Sequence, residues 1–279
     1  MIELKTNRTL PSRLVIGLCL VLLFAMVTVL APWFAPYDPY AQDLAMRLQP
    51  PVWSDGGDWS HPFGTDGFGR DYLSRLIYGG RISISIAVIV VAISAPIGIL
   101  LGLAGGYYGG FIDNCIMFII TTRLSLPVVL VTLAIVSITG GSFITAALVL
   151  GFLFWDRFAI VIRAATQQLR TRQFVLSARA TGASHVQVLA REILPNVGLQ
   201  ALAIATVEMA HAILVEAALS FLGLGVQPPA ASWGLMVAEA RDLFFFLPHL
   251  VVIPGLAICL LVLGINLISD GLQPTRSEY

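Results

Sequence analysis

Residues 82–104 read ISISIAVIVVAISAPIGILLGLA, a stretch without a single charged side chain. A helix of about 20 apolar residues crosses the roughly 30 Å hydrocarbon core of a bilayer, so this stretch predicts a transmembrane helix. The composition of the whole chain agrees: of 279 residues, 57% are hydrophobic and only 11% are charged, whereas soluble domains carry about 25% charged residues. Lipid is therefore the predicted solvent for most of the apolar surface.

Five further apolar runs have the length of a membrane span. With the first stretch they give six predicted spans: Leu14–Ala31, Ile82–Ala104, Cys115–Ile138, Phe143–Ile162, Val197–Leu222 and Leu247–Ile268. The first run follows Lys5, Arg8 and Arg13, as a signal peptide would. It is long, however, and leads into Pro32 and Trp33 instead of the small residues of a cleavage site. We therefore favour an uncleaved first helix.

The basic residues favour one orientation of these spans. Six spans place both termini on the same side, and with the termini inside, the cytoplasmic segments contain ten basic residues and the outer segments five. The ten are Lys5, Arg8, Arg13, Arg157, Arg163, Arg170, Arg172, Arg179, Arg191 and Arg276, and the five are Arg47, Arg70, Arg75, Arg81 and Arg241. The positive-inside rule then predicts cytoplasmic N- and C-termini.

Residue usage argues against several kinds of chemistry. Lys5 is the only lysine, so the chain lacks the GxxxxGK[ST] segment with which P-loop proteins bind nucleotide phosphates. Cys19, Cys115 and Cys259 lie dispersed in apolar runs and predict buried thiols, with neither a disulfide framework nor a metal site. The four scattered histidines add no ligand pair at metal-site spacing. A formal net charge of zero gives no reason to expect nucleic acid as a partner.

Two stretches outside the spans are long enough to have roles of their own. They divide the chain into a cytoplasmic N-terminus with the first helix (1–31), a periplasmic segment (32–81) and a five-helix core (82–279) with a cytoplasmic loop at 171–195. The periplasmic segment is rich in Pro, Gly and Asp, which predicts irregular backbone with short helices.

The cytoplasmic loop reads RTRQFVLSARATGASHVQVLAREILPN from Arg170 to Asn196. Residues 173–180 favour a helix, and Gly182 can end it in a left-handed conformation. Ser184 with Gln187 matches a capping box, which predicts that a second short helix begins there. The apolar residues expected on one face of that helix are Val186, Leu189 and Ile193. These residues alone fit a protein-docking site and an ordinary basic loop equally well.

This loop resembles the EAA loop of ABC importer permeases, in which a glycine precedes the proline of an Ile-Leu-Pro sequence by thirteen residues. Gly182 and Ile193-Leu194-Pro195 stand at that spacing, although Leu176-Ser177-Ala178 replaces the leading Glu-Ala-Ala. Other segments resemble the C-type permeases of the dipeptide, oligopeptide and nickel branch. They are His61–Ile86 with Gly64-Thr65-Asp66 and Gly69-Arg70-Asp71, Glu216–Gly225 followed by Gln227-Pro228-Pro229 and Ser232-Trp233-Gly234, and Asn266-Leu267 with Asp270-Gly271-Leu272. The resemblance covers nearly the whole chain.

The resemblance implies an all-α polytopic membrane protein of the type I ABC importer permease fold, with six transmembrane helices including an extra N-terminal one. It implies a transport subunit, not an enzyme, in the bacterial inner membrane. The implied partners are a second homologous permease, two cytoplasmic ATPase subunits that hold ATP and Mg, and a periplasmic substrate-binding protein. The residues it assigns to ATPase coupling are Arg172, Ala178, Arg179, Ala180, Thr181, Gly182, Ala183, Ser184 and Pro195.

Ionisable side chains inside predicted spans are costly in lipid and are therefore functional candidates. Those expected along the translocation path or its gate are Arg123, Glu208, His211 and Glu216, with Asp156 and Arg157 near an interface. Glu208 and His211 are one helical turn apart and are expected to hydrogen-bond. We expect Glu216 to pair with an arginine of a neighbouring helix.

Two further expectations concern charged residues. Asp66, Arg70 and Asp71 are expected to form a salt-bridged turn that either anchors the second span or faces the binding protein. In the third span, Phe118 and Thr121, with Arg123 nearby, replace an arginine and an aspartate that are usual in the family, so an interaction along the translocation path is expected to be rearranged.

The substrate and the transport class leave alternatives open. Peptides are the commonest cargo of similar permeases, and nickel, opines and oligosaccharides are the alternatives. An ion-coupled secondary transporter or channel would instead predict an inverted repeat with broken helices in both halves, which the sequence does not show.

Overall fold

The computed structural model describes residues 12–272, and within this range the secondary structure is helical apart from one isolated bridge between Thr65 and Asp71. The α-helices are α1 Ser12–Val29, α2 Ala31–Phe34, α3 Tyr72–Tyr108, α4 Gly110–Leu124, α5 Val128–Thr139, α6 Phe143–Leu153, α7 Trp155–Leu169, α8 Gln173–Ala180, α9 His185–Gln187, α10 Leu194–Phe221, α11 Trp233–Ala240 and α12 His249–Leu272. A π-helical turn, Val188–Ile193, joins α9 to α10, and short 3-10 turns occur at Leu44–Met46 and Arg241–Leu243. Lys5, Arg8 and Arg276, which were expected on the cytoplasmic side, lie outside the described residues.

Five helices or joined helices in this range are long and apolar enough to cross a membrane: Ser12–Val29, Tyr72–Tyr108, Phe143–Leu169, His185–Phe221 and His249–Leu272. The predicted third span is not one straight helix. Its two halves, α4 and α5, meet at 76°. Pro127 is the N-cap of α5, and a proline disfavours helical backbone in the residue before it, so the helix breaks there.

Glycine contacts show that the bent pair nevertheless makes one crossing. Three glycines of α3 lie against the backbone of α7 or its junction with α6: Gly98 at Trp155 and Phe158, Gly102 at Ala159 and Ile162, and Gly106 at Arg163 and Thr166. The residue numbers rise together, so α3 and α7 run parallel. Two parallel spans require an odd number of crossings between them, and α4 with α5 supplies it, which confirms the prediction of six spans.

The same contacts explain how these two helices approach so closely. A side chain on any of the three glycines would collide with the facing helix. Small residues four apart let helix backbones meet in a membrane, where van der Waals packing drives association. The spacing Gly98-x3-Gly102-x3-Gly106 is a repeated form of that motif and was readable in the sequence.

The second span begins earlier than predicted, at Tyr72 instead of Ile82. Asp71 caps it by accepting a hydrogen bond from the Ser74 amide at 2.8 Å. Gly79 and Gly80 have low helix propensity, but both pack against Trp233, and this tertiary contact keeps them in the helix. At its other end the helix runs through Gly105 and Gly106, and the turn comes at Gly109, whose φ is +69°.

Helix α1 packs antiparallel to α12. Leu14 meets Gly271, and Gly17 meets Gly264. The first and last spans therefore run in opposite directions, and both ends of the described chain lie on the same side of the bundle. The cysteines depart from expectation, because Cys19, Cys115 and Cys259 are exposed on outer helix faces of the single chain.

Candidate coupling elbow and intramembrane charge pairs

The segment between α7 and α10, which we call the elbow (residues 170–196), turns at a Schellman motif. The Ala183 amide donates to the Ala178 carbonyl and the Gly182 amide to the Arg179 carbonyl, both at 3.1 Å. Gly182 has φ +86°, a left-handed conformation that glycine adopts without strain. These bonds satisfy carbonyl groups at the end of α8, as Gly182 in the sequence predicted.

The capping box after the turn is also present. The Ser184 hydroxyl accepts a hydrogen bond from the Gln187 amide, and the Gln187 side chain accepts one from the Ser184 amide at 2.8 Å. The sequence predicted that a separate short helix begins here, and this prediction is wrong. The helix continues without a break through the π-helical turn into α10 and ends at Phe221.

The π-helical turn also changes which side chains face inward. Val186, expected on the inner face, is 71% exposed, whereas Val188, Ile193 and Val197 are fully buried. In a π-helix the hydrogen bonds join residues five apart, and Val188 and Ile193 have this spacing. The sequence reading assumed the ordinary α-helical period.

Helix α8 packs against the bundle through Val175, with half-buried Ala178 beside it. Val175 is fully buried in a cluster with Leu103, Tyr107, Ile162, Val188, Ile193 and Val197. The other residues of the cluster come from α3, α7 and the continuous helix His185–Phe221. Through this cluster α8 is packed against three elements that meet at the same end of the membrane bundle.

The predicted coupling residues form the opposite, outer surface of the elbow. Those that are exposed are Arg172, Arg179, Ala180, Thr181, Gly182, Ser184 and Pro195, and Ala178 and Ala183 are half-buried. Phe174 and Leu176, which are 39% and 49% exposed, add apolar area to this surface. A surface that combines exposed apolar and basic groups is suited to docking another protein.

Arg123 forms an ion pair within the membrane bundle. Its guanidinium donates to the Asp156 carboxylate at 3.0 Å and also to the Leu153 carbonyl. Asp156 is 2% exposed at the start of α7. This pair joins the bent span to the α6–α7 junction, so Arg123 finds its acidic partner on another helix and not within its own span.

A second ion pair joins α7 to α10. Arg157 donates to Glu208 at 3.1 Å, and Glu208 is 1% exposed whereas Arg157 is 49% exposed. His211 Nδ1 lies 3.6 Å from the second Glu208 oxygen, which is longer than a hydrogen bond. The His211 ring instead stacks on Phe154 with 4.8 Å between centroids. The expected Glu208–His211 bond is thus replaced by the Arg157 pair.

Glu216 is fully buried, and the prediction that it pairs with an arginine is wrong. Its carboxyl group accepts hydrogen bonds from the hydroxyl groups of Ser220 at 2.7 Å and Ser83 at 3.5 Å. Ser232 lies 3.5 Å from Ser220, in the same set of hydroxyl groups. The contacts bring together α10, α3 and the start of α11, so Glu216 is held by polar neutral groups at a meeting point of three helices.

Asp66, Arg70 and Asp71 form the expected salt-bridged turn, but it is buried. Arg70 pairs with Asp66 at 2.6 Å, and the exposures of the three residues are between 2% and 6%. Asp71 contacts His61 at 2.9 Å. In this conformation the three side chains are therefore not available as a surface for the binding protein.

Two residues that the sequence reading missed complete this network. Arg75 is fully buried and donates to Glu239 of α11 at 2.7 Å, and Arg70 reaches the same carboxylate at 3.2 Å. Glu239 is the one charged residue in the short helix α11. Its position among apolar residues was the feature of the sequence that could have predicted a buried charge pair. A third unpredicted pair, Arg163 with Asp113, joins α7 to α4. Among residues 12–272, no group of three or more potential metal ligands comes together.

Comparison with known proteins agrees with this architecture. The sequence profile described as "Binding-protein-dependent transport system inner membrane component" matches residues 94–275, and that of the "N-terminal TM domain of oligopeptide transport permease C" matches residues 13–51. The dipeptide transport system permease protein DppC of Haemophilus influenzae is 40% identical, over 92% of this chain and 88% of its own length.

Two more relatives and one solved structure extend the comparison. The di/tripeptide transport system permease protein DppC of Pseudomonas aeruginosa is 41% identical, over 92% of this chain and 85% of its own. A putative peptide permease protein of Brucella suis is 42% identical, over 96% and 88%. A chain of the MetNI methionine ABC transporter, solved in inward-facing conformations, shares the fold with a TM-score of 0.56 at 15% identity, over 72% of this chain and 97% of that one. The chain therefore belongs to the family of binding-protein-dependent inner-membrane transport components and is a permease subunit of an ABC importer of the type I fold, with the extra N-terminal helix of its C-type peptide branch.

Proposed function

We propose that this permease subunit carries dipeptides or short oligopeptides across the bacterial inner membrane. The support is that relatives at 40% and 41% identity over 92% of the chain are named as dipeptide and di/tripeptide permeases. The subunit acts with a second homologous permease, two cytoplasmic ATPase subunits that bind ATP and Mg, and a periplasmic binding protein. The N- and C-termini are cytoplasmic, in line with the nine basic residues expected on that side, once the intramembrane Arg157 is left out, against five outside.

In the proposed mechanism, movement of the ATPase subunits reaches the membrane through the elbow. The main support for this mechanism is that one continuous helix runs from His185, in the elbow, to Phe221. Glu208 and Glu216 lie on that helix and contact α7 and α3 respectively. A push on the exposed elbow surface is therefore transmitted to the intramembrane ion pair, whose rearrangement opens the path alternately to each side.

The periplasmic segment 32–81 has a different role in this proposal. Its Asp66, Arg70 and Asp71 hold the segment against α11 from within, so that its exposed residues can receive the binding protein. Arg123, with its partner Asp156, stabilises the bend in the third span. His211 keeps its place beside Glu208 as part of the gate.

Gly182 offers a direct test of the elbow. Nothing lies within 4 Å of a side chain added there, so a substitution acts through the backbone alone. Gly182→Pro is expected to abolish ATP-dependent uptake, and Gly182→Ala to lower it, because left-handed backbone costs other residues about 1–2 kcal/mol. Gly182→Asn should retain uptake, since asparagine tolerates this conformation. Uptake is measured in proteoliposomes that contain the full complex.

Gly198→Ala is the matched control, because Gly198 is helical and an added side chain also meets open space. It should transport normally. Membrane insertion of every variant is checked by its yield after detergent extraction. Full uptake by a well-inserted Gly182→Pro protein would contradict the role of the elbow.

A further inference from the structure

A basic cleft lies between the elbow and the end of α3, outside the ion pairs described above. Its volume is about 430 Å³. The residues that line it are Tyr107, Tyr108, Arg170, Thr171, Leu176, Arg179 and His185. Two arginines and a histidine therefore face one space, and no acidic residue lines it among the described residues.

The charges of the cleft are not neutralised within residues 12–272. Neither Arg170 nor Arg179 takes part in a salt bridge there. Arg170 is oriented by donating to the Gly106 carbonyl at 3.2 Å, which leaves most of its guanidinium donors for another group. Asp113, on the next helix, is engaged by Arg163 and does not line the cleft. The cleft thus has the charge to attract an anion.

An apolar groove continues from this cleft along the membrane. It has a volume of about 330 Å³ and shares Tyr108 with the cleft. Its other lining residues are Leu100, Leu103, Ala104, Val186, Leu189, Ala190 and Leu194, all without charge. One wall is the end of α3 and the other is the helix that leaves the elbow. A single occupant of both spaces would need an anionic head and an aliphatic tail.

The depth of the two spaces fits the edge of a bilayer. Helix α3 has 37 residues, about 55 Å at roughly 1.5 Å per residue, so it extends beyond a hydrocarbon core of about 30 Å. The groove lies beside Leu100–Ala104, at the end of the uncharged stretch of residues 82–104. Tyr107 and Tyr108 come next, at the level where aromatic residues favour the interface, and the arginines lie beyond them.

We propose that the cleft and groove together bind one anionic phospholipid. Its phosphate contacts Arg170 and Arg179, and an acyl chain lies in the groove between α3 and the helix His185–Phe221. A carboxylate side chain of a partner protein would match the cleft but leave the groove empty, whereas a lipid fills both. The lipid would then contact Leu176 and Arg179, which also belong to the exposed coupling surface. This site goes beyond the proposed function and rests on it only for the cytoplasmic position of the elbow.

The test is lipid retention by the full chain in nanodiscs made of phosphatidylglycerol and phosphatidylethanolamine, measured by native mass spectrometry. Each arginine near a membrane surface changes binding of an anionic lipid about 5-fold. Arg170→Gln should therefore weaken retention of phosphatidylglycerol about 5-fold, and Arg170→Gln with Arg179→Gln about 30-fold. Val186→Asn, in the exposed part of the groove, should weaken it independently.

Two controls share the elbow but not the site. Arg172→Gln removes an exposed elbow charge that does not line the cleft, and Phe174→Asn removes an exposed apolar group that does not line the groove. Both should retain phosphatidylglycerol as the unmodified chain does. The single Arg170→Gln and Val186→Asn variants keep the test informative if the double variant does not fold, which size-exclusion chromatography reports.

Several outcomes would overturn the proposal. One is equal retention of both lipids by the unmodified chain, and another is unchanged retention by Arg170→Gln and Val186→Asn. Displacement of the lipid by inorganic phosphate, without an effect of Val186→Asn, would identify a phosphate site with no acyl groove. Loss of the lipid when the ATPase subunits are added would assign the cleft to protein docking. Lipid retention needs no transport, so failure here leaves the result for Gly182 intact, and the reverse also holds.

Discussion

Glu239→Gln should destabilise the protein strongly, because it removes one of two carboxylates that balance two buried arginines. Arg75 is fully buried and lies 2.7 Å from Glu239, and Arg70, 2% exposed, lies 3.2 Å away. Among residues 12–272, Asp66 would remain as the only carboxylate paired with these arginines, 3.4 Å from Arg75. Breaking a buried ion pair costs about 3–5 kcal/mol. Since Glu239 keeps 23% of its side chain exposed, we expect a loss of about 3 kcal/mol in the free energy of unfolding.

The measurement is a denaturant titration in mixed micelles, with loss of helical circular dichroism as the signal. The matched control is Asp242→Asn, three residues further on. Asp242 pairs with Arg241 at 3.5 Å, but the two side chains are 87% and 58% exposed. Exposed pairs contribute about 0–1 kcal/mol. If Glu239→Gln and Asp242→Asn lower the free energy of unfolding by the same amount, the buried network does not stabilise the fold as reasoned here.

Three more predictions concern packing, capping and docking. Gly102→Val should destabilise the bundle by about 1–3 kcal/mol because the side chain collides with Ala159 and Ile162, whereas Gly255→Ala, which meets open space, should be near neutral in the same titration. Ser184→Ala should remove about 1 kcal/mol of helix capping and speed hydrogen exchange of the amides that follow residue 184. The control is Ser177→Ala, because Ser177 lies within α8 and caps no helix. Equal exchange rates in the two variants would contradict this prediction. Arg172→Glu and Arg179→Glu should lower the yield of ATPase subunits in affinity purification, and an unchanged yield would limit these arginines to setting topology.

The membrane spans and the turn of the elbow could be predicted from the sequence because both depend on local patterns. Long apolar runs report the spans, and Gly182 with Ser184 and Gln187 reports the turn through backbone conformation and capping, which involve only near neighbours. The early start of α3 could not be read in this way. Gly79 and Gly80 are helical because Trp233, more than 150 residues away, packs against them.

The ion pairs were predictable as a class but not as partners. Ionisable side chains inside spans are costly in lipid, so Arg123 and Glu208 stood out in the sequence, and both are paired in the structure. Their partners are set by which helices become neighbours, and this depends on the glycine contacts between α3 and α7 and on the bend at Pro127. Glu216 illustrates the limit, since three serine hydroxyl groups can surround a carboxyl group where charge alone suggested an arginine.

The contact of α3 with α7 limits where this subunit can move. Three successive turns of α3 contact the backbone of α7 through glycines. Neither helix can therefore slide or rotate against the other unless the two first move apart. Residues 98–106 and 155–166 then behave as a single rigid strut within the membrane. Any cycle of opening and closing must place its joints outside that strut, at Gly109, at the break before Pro127 and at the short link of residues 170–172 that joins α7 to α8.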